Sequence, residues 1–135
     1  MENKFDENLA IKQTVTTQAE KIMKLIPKIA DVERSEIQIV LLDRIREKLA
    51  FIMIEKDAKT LDVAFDDLDQ MIEIMLRSEL RFKMELENAY KSTKNIFAKL
   101  SARKSLKRQT KLVEMIQELH SQAENMHAYS MLCLI

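Results

Sequence analysis

The chain has 135 residues, in which 22 acidic side chains balance 22 Lys and Arg, with one proline, one cysteine, and no glycine or tryptophan. At an average usage of about 7% a chain of this length carries roughly nine or ten glycines. Their absence excludes sites where the backbone needs positive φ or presses on a ligand, namely phosphate-cradling loops, dinucleotide fingerprints and nucleophile elbows.

The lone Cys133 excludes a disulfide framework and any zinc site of several thiolates, which fits a reducing, intracellular and cytoplasmic location. It stands one place short of the position a prenylation motif needs, so no lipid anchor is expected. The opening MENKFDENLA lacks the apolar stretch of a signal peptide, and the most apolar window, 37–54, is broken by Asp43, Arg44, Arg46, Glu47 and Lys48. Neither secretion nor a membrane span is expected. Strong helix formers dominate the rest, so the expected fold class is all-α: long amphipathic helices forming an elongated coiled coil or a four-helix bundle, as one unit over 1–135.

The first predicted helix covers 6–26, where Val15, Ala19, Ile22, Ile26 and Ile29 keep the four-three spacing of a heptad seam. Pro27 predicts a bend there.

A second helix, 31–58, is capped by Asp31 or Ser35, the latter forming a capping-box pattern with Gln38. Leu42, Ile45, Leu49 and Ile52 carry its seam. Ile37, Ile39, Val40, Leu41, Phe51, Met53 and Ile54 widen the apolar stripe around the circumference, so this helix calls for neighbours on two sides.

The third segment, 61–100, has the strongest periodicity. Leu61, Phe65, Leu68, Ile72, Met75, Glu79, Phe82, Leu86, Ala89, Thr93, Ile96 and Leu100 alternate four and three without a slip. Of these, Leu61, Phe65, Leu68, Ile72, Met75, Glu79, Phe82, Leu86, Thr93, Ile96 and Leu100 are the candidate partner interface. Glu79 and Thr93 interrupt the apolar run as register marks, and leucine at Glu79 is expected to raise thermal stability while loosening partner choice. If the segment folds back, 88–95 is the expected place. The seam loses phase in SARKSLKRQTK, and a fourth helix, 110–133, takes it up at Leu112, Ile116, Leu119, Ala123, Met126, Ser130 and Cys133.

Charge is distributed in blocks: 61–87 holds eight acids and three bases, and 88–113 holds eight bases and no acid. Lys99, Arg103, Lys107 and Lys111 form a ladder at four-residue spacing, joined by Lys104 and Arg108 in a candidate basic patch. Like charges so placed oppose a helix by a few tenths of a kcal/mol each, which invites an acidic counterpart. For nucleic acid the pattern is poor, since only Tyr90 and Phe97 offer stacking faces nearby.

His120, Glu124 and His127 share a helical face, but a dinuclear carboxylate site needs a second Glu-x-x-His element that the chain does not have. A polar face is the better reading, and no metal or cofactor is expected. The inventory points away from an enzyme and toward a coiled-coil structural or interaction subunit of a larger intracellular complex, cytoskeletal (microtubule or spindle) or tethering. Its partners would be other coiled-coil proteins, in a homo- or hetero-oligomer, or an acidic surface such as a cytoskeletal filament. The alternative is a four-helix-bundle regulator or binding module whose basic face, 91–111, engages an acidic partner or nucleic acid.

Overall fold

The computed structural model describes residues 2–134, and side chains for Gln13 and 15–132. Among the described residues four helices follow one another: α1 (Glu2–Val32), α2 (Glu36–Ile54), α3 (Ala58–Ser92) and α4 (Ile96–Leu134). The described residues contain no strand, so the all-α expectation holds. α3 and α1 both lie along α4, α2 closes the ring against α3 and α1, and among the described residues the two diagonal pairs do not meet. This is an antiparallel helical bundle with short connections.

All three connections are three residues long; the first two share one design, and the third keeps its helix-capping acceptor. In Glu33–Arg34–Ser35, Glu33 Oε1 accepts from the amides of Arg34 and Ser35 at 3.1 Å each, and Ser35 Oγ caps α2 by accepting from the amide of Gln38. In Glu55–Lys56–Asp57, Glu55 Oε1 accepts from the next two amides at 3.1 Å, and Asp57 accepts from the amide of Thr60 at 3.0 Å. In Thr93–Lys94–Asn95, Thr93 Oγ1 donates back to the Ala89 carbonyl, and Asn95 Oδ1 accepts from the amides of Phe97 and Ala98. Ser35, Glu55, Asp57 and Thr93 are all extended, with φ between −76° and −79°, and no described residue has positive φ. Side-chain oxygens do here what glycine does at many helix C-termini.

Helix bounds differ from the sequence expectation at every helix. α1 starts at Glu2 and not at 6, and α2 is shorter than the expected 31–58, because Ser35 caps its start and Glu55 its end. The two largest departures are in α1 and at the α3–α4 turn. α1 continues through Pro27 to Val32. The ring of Pro27 faces solvent, where the carbonyl it strips of a donor can be hydrated. Ile22, Leu25, Ile26 and Ile29 around it are buried, each contributing about 1.5–3 kcal/mol against a proline penalty of about 3. The second difference is that α3 ends at Ser92 and α4 begins at Ile96, so the unbroken heptad of 61–100 crosses a turn. Thr93 is therefore a helix cap rather than a register mark.

The core draws Ile22, Ile26 and Ile29 from α1, Leu42, Ile45, Leu49 and Ile52 from α2, Phe65, Leu68, Ile72 and Met75 from α3, and Leu112, Ile116, Leu119 and Met126 from α4. Cys133, the last position of the fourth seam, lies outside the residues whose side chains are described.

Candidate interaction surface

The seam of α3 divides at Glu79. Leu61, Phe65, Leu68, Ile72, Met75 and Glu79 are buried by this chain's own helices. Beyond Glu79 the remaining candidate interface residues lie open: Phe82, Ile96 and Leu100 are exposed, and Leu86 and Thr93 half-buried. From 80 to 108, no residue is buried. Gln38, near the start of α2, bonds to Glu79, which sets the α1–α2 turn at the level of Glu79 and Gln109. The stretch 80–92 therefore runs about 20 Å beyond that turn at 1.5 Å per residue, and α4 returns along it.

This helical hairpin carries nine Lys or Arg and two acids, a net charge of +7. Lys99, Arg103, Lys104, Lys107 and Lys111 are exposed, and Arg108 is half-buried. Among the described residues, no Lys or Arg of 88–111 comes within 4.0 Å of a carboxylate, while at the hairpin's base Lys83 meets Glu87 at 4.0 Å. Lys99 lies over the Tyr90 ring, 5.1 Å from its centre. At the tip, Ile96 is 74% and Phe97 82% exposed. A cationic surface with an apolar crest is suited to an anionic partner that also offers apolar side chains.

The acidic half of α3 is engaged elsewhere. Asp67 meets Lys48 of α2 at 3.5 Å, Asp62 meets His127 Nε2 at 3.0 Å, and Asp69 meets His120 Nε2 at 2.9 Å. His120 and His127 thus belong to separate contacts, although both lie on one face of α4. The His127 ring stacks on Phe65, centroids 4.6 Å apart and 8° from parallel. His120 Nε2 also has Glu124 at 3.5 Å and Glu73 at 3.8 Å. Asp69, His120 and Glu124 donor atoms lie within 4.8 Å of one another, the grouping best placed to hold a cation among the described residues. Glu124 is exposed. The contact of Asp69 Oδ1 with His120 Nε2 joins α3 to α4 without hydrogen-bond geometry.

Where the hairpin leaves the bundle, each helix or its end contributes one buried polar side chain: Glu33, Gln38, Glu79 and Gln109. Gln38 Nε2 donates to Glu79 Oε1 at 3.2 Å and to the Met75 carbonyl at 3.4 Å. Gln109 Nε2 donates to the Glu79 carbonyl at 2.8 Å and to Glu79 Oε2. Burial pushes the Glu33 carboxyl up to about 7; the Ser35 amide opposes this, and the Glu79 carboxylate adds to it. The layer borders a cavity of about 410 Å³ reached by Ser35, Phe82 and Arg108. Its signal was present in the spacing. One further heptad step takes the seam of α1 from Ile29 to Glu33, and one step back takes those of α2 and α4 to Gln38 and Gln109.

No family model matches this chain, and no curated protein or solved structure is significantly similar to it.

Proposed function

We propose that this protein is a non-enzymatic interaction subunit of a larger assembly. Its bundle serves as a mount, and its basic hairpin, 80–108, engages an acidic, helical protein surface. The observation that supports this reading is the division of one heptad seam at Glu79. The inner half is filled by the chain's own core, while the outer half continues, unburied, through a segment of net charge +7. Helices that keep an apolar register outside their own core have that register available for another chain, and unneutralised bases select an acidic one and speed its capture.

The test is cross-linking mass spectrometry of the full chain in its native cell, read at Lys91, Lys94, Lys99, Lys104 and Lys107. Ile96→Glu combined with Leu100→Glu should abolish the cross-linked partners while the far-ultraviolet circular dichroism stays unchanged. An unaltered partner set in a folded variant would overturn the reading.

A further inference from the structure

α2 carries a second heptad seam, directed away from the core. Its inward seam runs Gln38, Leu42, Ile45, Leu49, Ile52. Its outward one runs Ile37, Val40, Arg44, Glu47, Phe51, Ile54, again at spacings of three and four. At 100° per residue the two seams point roughly 150° apart. Ile37 is 80% exposed, Val40 54%, Phe51 39% and Ile54 77%, and Arg44 and Glu47 are exposed as well. The helix therefore has the neighbours its apolar pattern calls for on one side only.

The outward seam is complementary to its own reverse. About its midpoint, Ile37 answers Ile54, Val40 answers Phe51, and Arg44 answers Glu47. We infer that this face binds a second copy of the chain, α2 against α2 and antiparallel, about a two-fold axis between residues 45 and 46. In that arrangement the layers are Ile37 on Ile54 and Val40 on Phe51 at each end, with two Arg44–Glu47 pairs across the axis. Apolar residues meet apolar residues over about 26 Å of helix, and each central charge meets its opposite.

A parallel pair would instead set Arg44 on Arg44 and Glu47 on Glu47, which costs stability at both layers. Among the described residues neither Arg44 nor Glu47 forms an ion pair within the chain, whereas their neighbours Arg46 and Lys48 do, with Asp43 and Asp67. An isologous interface requires this kind of self-complementarity, residue i meeting j and j meeting i. A different protein docking here would have no reason to require the symmetry. The inference is independent of the hairpin, which lies on α3 and α4.

Sedimentation equilibrium of the full-length protein tests it. The wild-type chain should dimerise reversibly at micromolar concentration. Arg44→Glu and Glu47→Arg should each weaken the dimer by roughly tenfold or more, and the exchanged double variant should restore it to within about threefold. Orientation is read in a Cys133→Ser background. Chains carrying Val40→Cys, mixed with chains carrying Phe51→Cys, should form the mixed disulfide in preference to either self-disulfide. A monomer at all concentrations would overturn the proposal and leave the face to a different protein. An exchanged variant that stays dissociated, or dominant self-disulfides, would overturn the antiparallel pairing.

Discussion

Glu33 and Glu79 bring two carboxyl groups together at the buried end of the core, and the held proton of Glu33 makes stability depend on pH. Its carboxyl rises from an ordinary 4.5 to about 7. Below pH 4.5 the group is protonated in the folded and unfolded chains alike, and its favourable contribution is fully present. As pH climbs from 4.5 to 7 the unfolded chain releases this proton first, so stability falls, levelling off above 7. Glu33→Gln mimics the protonated acid, since it carries no charge and its carbonyl can still accept from Arg34 and Ser35. It should stabilise the protein at pH 8 by on the order of 1–3 kcal/mol and have little effect at pH 4.5. Urea unfolding of both proteins at the two pH values checks this, and an equal difference at both would refute it.

Glu79 calls for a separate experiment. A polar residue in an apolar seam suggests that leucine there raises thermal stability. The contacts argue otherwise, because Glu79→Leu takes an acceptor from each of two buried amides, Gln38 and Gln109. A buried donor left unsatisfied costs about 1–3 kcal/mol. The single substitution should lower the melting temperature, and the triple replacement of Gln38, Glu79 and Gln109 by leucine should recover it. Thermal denaturation followed by circular dichroism separates the two expectations.

At the level of helices, the core stretches of all four were legible, because apolar residues at three and four mark a face made for burial. The ends were harder to read. Proline is a strong stop signal, yet the burial around Pro27 outweighs it. Without glycine the turns offered no conspicuous mark, although Glu33–Arg34–Ser35 and Glu55–Lys56–Asp57 repeat one pattern of acceptor, base and cap. The candidate interface from Leu61 onward was legible as a seam, but spacing alone does not say where a seam stops serving the chain's own core. The boundary at Glu79 required knowing that α2 is only 19 residues long and covers no more of α3. One outcome follows for the hairpin. Amides of 83–91 and 97–105 should exchange hydrogen much faster than those of 65–75 and 112–126, which back the core. Phe97→Ser should change global stability by less than about 0.5 kcal/mol. Protection in the hairpin equal to that of the core would show that it is buried in the protein's working state.

For the molecule as a whole, the glycine-free turns bear on how firmly the fold is fixed. Every described residue keeps φ negative, so nothing in the backbone at 93–95 forbids a helix there. What folds α3 back on α4 is a few side-chain oxygens, with caps of this kind contributing about 1 kcal/mol each, together with the packing of α4 on α1 and α3. The heptad from Leu61 to Leu100 runs through that turn in phase, as though written for a straight helix. The spacing by itself is as compatible with an uninterrupted rod as with the folded-back hairpin that the structure shows. A partner able to reward the rod would have to overcome the packing of α4, with no steric strain in the turn itself to add to it.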